Sequence, residues 1–236
     1  MAATSHENTL QTEAKIANEI MKTVQALGLP LKLDQLTEGL GNCFPISIIQ
    51  QCRRPEIFNQ LKIVMKMILQ HHNPHGILRV LVKQFITTSE HPNIARFKER
   101  YEALEQTISK ETWSQYWQRM INDKIWVDFW FVQATAWFLG LDLWIVDCQS
   151  KDDIPFIQIS GNIENSEMPC AGPVMTIGTK SNVHYQSLLP TEMLHLEFRR
   201  IITEVTTKSE NNTQSIMKSS NYDKVRKTKY QLFSNT

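Results

Sequence analysis

The chain has 236 residues, of which 42% are hydrophobic, and its formal net charge is +1. A chain of this length can bury one sizeable core, and a charge so close to zero argues against a nucleic-acid surface across the whole molecule. The four cysteines are too few and too scattered for a disulfide framework, which favours a reducing compartment. The N-terminus carries no secretory signal pattern, so we expect an intracellular protein, in the cytoplasm or alternatively in the nucleus.

The first half of the chain is predicted to be helical. Apolar residues at helical spacing predict a helix over 7–26, and Gly28 and Pro30 follow it as stop signals. A short buried helix is predicted over 44–51, with Pro45 in the first turn, where a missing N–H is tolerated. Further helices are predicted over 56–70, 76–86, 92–108 and 111–120, the first with an apolar face formed by Phe58, Leu61, Val64, Met65 and Ile68.

The most apolar segment, 126–146, is long enough to suggest a membrane span. Asp128, Gln133 and Asp142 interrupt it and Gly140 breaks it, and charges at mid-bilayer are costly. A buried helix followed by a strand is therefore the better interpretation, and no membrane span is expected. Strands are predicted over 143–146, 154–159, 174–177 and 184–189. Helices first and a small sheet last predict an α+β fold.

Cys43 is the candidate nucleophile, because it follows a glycine-containing loop and precedes the short buried helix. A thiol attacks only as the thiolate, and its pKa falls at a helix N-terminus and beside an imidazolium. Gly39 and Gly41 allow the loop N–H groups to point into one small volume, as an oxyanion hole requires. The alternative is a buried structural cysteine, which is a common state of free cysteine.

His184 is the candidate general base among seven histidines, because it begins a predicted strand directly after a turn. An imidazole on a strand can be held against a thiol if a third group orients its other nitrogen. Asn182 lies two residues upstream on the same face of an extended segment and could be that group. The alternative is a half-exposed histidine at a strand edge. If the two residues are catalytic, we expect Cys43 and His184 to contribute little to core packing.

These motifs, in this order, resemble the ovarian-tumour (OTU) family of deubiquitinating cysteine proteases. Gly41–Phe44 is similar to the family's Gly-Asn-Cys-Phe nucleophile motif at the start of a buried helix. A Trp, an Ala-rich helix and a central strand follow in the family, and the segments 126–128, 133–136 and 143–146 match them. The family's His-aromatic motif is matched by 184–188. The resemblance spans Leu33 to Pro190.

The resemblance implies a papain-like, OTU-type α+β fold with a helical N-terminal half packed on a small central sheet. Residues 1–30 would be an N-terminal helix or extension, 31–200 the protease domain, and 204–236 a polar tail that we expect to be disordered. The implied activity is that of a thiol protease, a deubiquitinase hydrolysing isopeptide bonds between ubiquitin, or a ubiquitin-like modifier, and protein lysines. Such conjugates would be its partners, and no metal or organic cofactor is implied.

The site implied by the resemblance has Cys43 as nucleophile, His184 as base and Asn182 as the orienting residue. The backbone N–H groups of its oxyanion hole would come from Leu40, Gly41 and Asn42. Gln186, two residues after the histidine, is the second candidate for the orienting residue.

Two residues depart from the family pattern: Gln186 stands two residues after the histidine, where many members have an acidic residue or Asn, and Leu40 stands three residues before the cysteine, where the family usually has Asp. Leu40 keeps a backbone N–H but loses any side-chain role. This departure motivates an alternative, a catalytically weak or inactive OTU-like module that binds ubiquitin or another protein. A third possibility, a helical scaffold whose motifs match by chance, predicts that Cys43 and His184 lie far apart.

Overall fold

A computed structural model of the chain describes residues 2–37, 39, 41–108, 110–148, 156–165, 168, 170, 172–180 and 184–191. Leu40, Asn182 and the predicted tail over 204–236 lie outside these residues. Within them the helices are α1 (Ala2–Ala26), α2 (Cys43–Cys52), α3 (Pro55–Phe58), α4 (Ile63–Ile68), α5 (Pro74–Thr88), α6 (Pro92–Ile108), α7 (Trp113–Met120) and α8 (Phe129–Leu139). The strands are β1 (Leu31–Leu33), β2 (Leu143–Asp147), β3 (Phe156–Ile159), β4 (Met175–Lys180) and β5 (His184–Pro190).

The five strands form one mixed sheet in the order β1-β5-β4-β2-β3. Only the pairing of β2 with β4 is parallel among the described strands, and the other pairs are antiparallel. The first four residues of β2 are all buried, as predicted for a strand covered on both faces. The α+β class, with helices in the first half and a small sheet in the second, is confirmed.

The apolar segment 126–146 is a buried helix followed by a strand, as predicted. Asp128 caps α8 by accepting hydrogen bonds from the N–H groups of Trp130 and Phe131. Gly140 ends the helix at φ +67°, a conformation that favours glycine, and the chain then enters β2. Among the described residues no helix is long and apolar enough to cross a membrane.

Helix α1 packs on the sheet beside β4. Its residues Ile20 and Val24 are fully buried, and a Cβ on Gly178 of β4 would lie only 2.2 Å from the Ile20 Cγ2 atom. Glu19 of α1 also pairs with Lys180 at the end of β4. Because Lys180 is the β-partner of His184, this packing brings α1 close to the start of β5.

The prediction of one helix over 56–70 is wrong, because the chain forms α3 and α4 with a turn between them. Lys62 has an extended ψ of 152° at this turn. The break leaves Leu61 buried, whereas Ile63 is 79% exposed and Val64, predicted on the apolar face, is 39% exposed. No glycine or proline marks the break in the sequence, and tertiary packing decides it. The short strand β1, which pairs with the end of β5, was not predicted.

Candidate active site

Cys43 is the first residue of α2 and is 1% exposed. Burial raises the pKa of its thiol to about 11, although several groups act in the opposite direction. These are the backbone N–H groups of Tyr185, Phe44 and Cys43 itself, which approach the sulfur, and the positive charge of Arg79. The thiol is therefore protonated at neutral pH in this conformation, but it is surrounded by groups that favour a thiolate.

The loop before Cys43 is held against the segment that joins α7 to α8. Gly41 has φ +83°, and a Cβ there would lie 2.2 Å from the Lys124 carbonyl oxygen, so only glycine fits. The Asn42 Oδ1 atom accepts a hydrogen bond of 3.1 Å from the Lys124 N–H. On its other side the buried Arg79 of α5 donates to the Gly41 carbonyl at 2.7 Å and to Asn42 Oδ1 at 3.3 Å.

His184 begins β5 and is 4% exposed. Its backbone is fixed by pairing with β4, where the Thr179 hydroxyl donates to the His184 carbonyl at 3.1 Å. The Nδ1 side of its ring faces the nucleophile loop, because a Cβ on Gly39 would lie 3.7 Å from Nδ1. Burial lowers the pKa of His184, which favours the neutral imidazole.

Gln186 contacts the other ring nitrogen, Nε2 of His184. The orientation of its amide follows from Thr37: the Thr37 N–H donates to Gln186 Oε1 at 2.9 Å, and Gln186 Nε2 donates to the Thr37 carbonyl at 3.2 Å. The amide therefore presents an N–H to the ring, and His184 Nε2 must accept. The proton of the neutral ring is then on Nδ1. In an imidazolium, the Nε2–H of His184 would point at the N–H of the Gln186 amide.

A carboxylate from α1 reaches the same loop. Glu13 is 3% exposed, and its Oε1 accepts a hydrogen bond of 2.6 Å from the Gly39 N–H. Gly39 also faces the Nδ1 side of His184. The Glu13 carboxylate of α1 therefore binds a backbone donor of the nucleophile loop close to His184.

The structure brings together the two ends of the predicted site. The Tyr185 N–H that approaches the Cys43 sulfur belongs to the residue after His184, and the Phe44 and Tyr185 rings pack edge to face at 5.2 Å. The backbone of the residue next to His184 therefore lies beside the Cys43 thiol. Asn182 and Leu40 lie outside the described residues, so their roles stay predictions. Cys43 and His184 are both buried, and the expectation that they contribute little to core packing is wrong for Cys43, which belongs to the main apolar cluster.

Three residues around the site were not predicted from the sequence: Glu13, Thr37 and Arg79. Arg79 carried a recognisable signal, since it lies three and seven residues before Val82 and Ile86 and so interrupts the apolar stripe of α5. Glu13 and Thr37 carried none, because their partners lie 26 and 149 residues away in the chain.

The histidines around the start of α5 do not form a metal centre. The His71 and His72 rings lie with centroids 4.1 Å apart, and His75 Nε2 is 4.0 Å from Asp123 Oδ1. Within the described part of the chain, no group of three or more His, Cys, Asp or Glu side chains is arranged to hold a metal ion. The candidate site consists of a thiol, an imidazole and backbone donors.

No protein-family model matches the sequence, and the comparison with curated proteins found no match. Among solved structures, the chain is similar to the viral OTU domain protease from Taggert virus, with TM-score 0.41 and 14% identity over 70% of this chain and 83% of that one. It is similar to the Hazara virus OTU bound to ubiquitin, with TM-score 0.38 and 13% identity over 69% and 83%. It is also similar to an OTU deubiquitinase from Wolbachia pipientis wMel, with TM-score 0.42 and 16% identity over 69% and 90%.

All three TM-scores are below 0.5, and a similarity at this level does not say which residues act. The function is therefore argued from the geometry around Cys43 and His184.

Proposed function

We propose that the chain is a thiol-dependent isopeptidase that removes ubiquitin, or a ubiquitin-like modifier, from protein lysines. The supporting observation is the setting of Cys43: N–H groups at the start of α2 approach its sulfur from one side, and the Tyr185 N–H of β5 approaches it beside His184. A thiol between a helix N-terminus and a histidine-bearing strand suits nucleophilic catalysis. The modifier is assigned from the resemblance carried by 41–44 and 184–188.

In the proposed reaction Cys43 transfers its proton to His184 and attacks the carbonyl carbon of the isopeptide bond. The carbonyl π electrons move to oxygen, and N–H groups of the loop before α2 stabilise the resulting oxyanion. The C–N bond then breaks as His184 protonates the departing lysine amine, leaving a thioester on Cys43. His184 next takes a proton from water, whose oxygen attacks the thioester and restores the thiol.

The described conformation is the resting state in this proposal. His184 can take a proton on Nδ1 only if the ring proton first leaves that atom for Nε2, and the Gln186 amide faces Nε2 with a donor. Rotating the amide by half a turn would present an acceptor to Nε2, but it breaks both hydrogen bonds to Thr37. Each buried group that loses its partner costs about 1–3 kcal/mol, so the rotation is unfavourable at rest.

The test is incubation of the protein with ubiquitin that carries a C-terminal electrophile, followed by intact-mass measurement. We expect a ubiquitin-sized adduct on the wild type and none on Cys43→Ser. The same reaction with electrophilic forms of ubiquitin-like modifiers shows, by which adduct forms, which modifier is preferred. If no modifier forms an adduct while a small alkylating agent labels Cys43, the proposed substrate class is wrong.

A second candidate function is a non-catalytic module that binds ubiquitin or another protein. The Gln186 amide favours it, because a donor against His184 Nε2 opposes the imidazolium that would activate the thiol. Such a module would shift ubiquitin resonances in an NMR titration without forming the covalent adduct. Titration and labelling of the same preparation therefore separate the two functions.

A further inference from the structure

Arg79 is a fully buried cation whose described hydrogen bonds go to uncharged oxygen atoms. Its Nη1 donates to the Met120 carbonyl at 2.8 Å, and its Nη2 donates to the carbonyls of Gly41 and Ile125, both at 2.7 Å. Burying a charge is costly unless several hydrogen bonds compensate it, and Arg can supply them in a fixed planar geometry. The guanidinium thus joins the nucleophile loop to the end of α7 and to the segment before α8.

The hydrogen bond to Gly41 fixes one particular peptide plane. The described peptide bonds include no cis bond, so the C=O of Gly41 and the N–H of Asn42 point in opposite directions from the same rigid unit. With the carbonyl directed at Arg79, the Asn42 N–H is directed away from α5. Helix α2, which Asn42 precedes, contacts α5 and also β5, the strand that carries His184.

Without this bond the peptide plane has an alternative. Gly41 has φ +83°, in the region that glycine enters freely, so the Gly41–Asn42 peptide can rotate by small changes in its flanking dihedrals. The hydrogen bonds of the Asn42 side chain do not prevent this rotation. Lys124 and Arg79 bond its Oδ1 atom, which is not part of the Gly41–Asn42 peptide plane. Among the described residues, Arg79 donates the hydrogen bond to the Gly41 carbonyl.

We propose that Arg79 is a positioning residue for oxyanion stabilisation: by holding the Gly41 carbonyl, it keeps the Asn42 N–H directed toward the reacting carbonyl at Cys43. The inference rests on the proposed thiol chemistry and names the group that prearranges one of its donors. Preorganised donors matter because removing one typically slows acyl transfer by about 10²- to 10³-fold. A purely structural clamp on α7 and α8 would instead affect every reaction of Cys43 equally.

Two reagents distinguish these roles. A peptide aldehyde such as acetyl-glycyl-glycinal adds to Cys43 by forming an S–C bond while the carbonyl electrons move to oxygen and the thiol proton passes to His184. The oxygen of the adduct is then negatively charged, so the adduct needs the oxyanion donors. Iodoacetamide forms an S–C bond and expels iodide, so it needs an accessible, ionisable thiol but no oxyanion donor. The proposal predicts that Arg79→Gln weakens aldehyde binding by about 10²-fold and changes the alkylation rate by less than about threefold.

The conservative variant and a surface control complete the series. Arg79→Lys, which keeps the charge and one donor, should lie between the wild type and Arg79→Gln in aldehyde affinity. Arg119→Gln is the control, since Arg119 pairs with the partly exposed Glu111 away from the loop and should change neither reagent. If Arg79→Gln weakens aldehyde binding and slows alkylation to the same degree, or changes neither, the positioning role is overturned.

Folding is checked by circular dichroism, and if Arg79→Gln does not fold, the two reagents are compared on Arg79→Lys and the wild type. Amide NMR of the wild-type aldehyde adduct should then show a downfield shift of the Asn42 N–H, and an unchanged Asn42 resonance overturns the proposal. Ubiquitin aldehyde is tested in parallel. If the small aldehyde adds and ubiquitin aldehyde does not, the proposed modifier is wrong while the comparison at Arg79 stands.

Discussion

The two halves of the candidate site are fixed in different ways. On the nucleophile side, Gly41 and Asn42 are held by backbone contacts to Lys124 and by the buried guanidinium of Arg79. On the histidine side, the protonation of His184 depends on which end of the Gln186 amide faces it. The comparison shows that the loop before the thiol is held by fixed contacts, whereas the Gln186 amide holds the imidazole in its neutral form.

The largest expected effect tests the nucleophile side directly. Cys43→Ala should lower the rate of isopeptide cleavage by about 10⁴-fold or more, because no other group can form the thioester. Cys52→Ala is the matched control, since Cys52 is the last residue of the same helix and is fully buried. Both variants should lose similar stability in urea unfolding, and equal loss of activity would show that packing of α2, and not the thiol, matters.

The next effect tests how tightly the nucleophile loop is held. Gly41→Ala places a methyl group against the Lys124 carbonyl in a left-handed conformation, and we expect it to lower the free energy of unfolding by about 2–4 kcal/mol and to abolish labelling of Cys43 by ubiquitin probes. Gly140→Ala, at φ +67° with open space around its Cβ position, should cost only about 1 kcal/mol. Equal costs for the two variants would mean that the contact with Lys124 does not constrain the loop.

The third prediction asks whether the histidine side limits activity. In Gln186→Glu one carboxylate oxygen still accepts from Thr37, and the other accepts from His184 Nε2, which raises the pKa of His184 and favours the imidazolium. We expect kcat/KM at neutral pH to rise by about tenfold, the equivalent of one pKa unit. Gln186→Met, which removes the amide without adding an acceptor, is the control. A rate for Gln186→Glu no higher than that of Gln186→Met contradicts this view of the resting state.

A smaller effect concerns the carboxylate that α1 places on the loop. Glu13→Ala frees the Gly39 N–H, and we expect labelling of Cys43 by a ubiquitin probe to accelerate several-fold, because a loop donor is no longer held by a buried carboxylate. Glu19→Gln is the control, because it loosens the contact of α1 with Lys180 without freeing Gly39. Equal acceleration in both variants would assign the effect to general loosening of α1.

The smallest effect is the dependence of stability on pH. Because burial lowers the pKa of His184 below its ordinary value of 6.5, the unfolded chain binds the proton first, and stability falls as pH drops below that value. Urea unfolding at about pH 7.5 and about pH 5 should show this loss in the wild type and a smaller loss in His184→Gln. If wild type and variant lose the same stability, His184 titrates normally in the folded protein.

The sequence predicted the parts of the fold that depend on local signals. The buried helix and strand over 126–146 followed from hydrophobicity interrupted by Asp128 and Gly140, and both elements formed as expected. The single helix over 56–70 was predicted wrongly, because the turn at Lys62 carries no glycine or proline and results from packing of Leu61. The short strand β1 was missed because three residues are too few for a periodic pattern and its pairing with β5 is entirely long-range.

For the site, the sequence by itself determined which chemical groups are available. Glycines before a cysteine, a proline in the first helical turn and a histidine after a turn are local patterns, and they placed Cys43 at a helix start and His184 at a strand start. Only the tertiary structure decided how these groups are charged and held. Arg79, Thr37 and Glu13 act across long separations in the chain, and the direction of the Gln186 amide depends on Thr37. Burial and hydrogen-bond direction, which set both pKa values and donor geometry, exist only once the chain has folded.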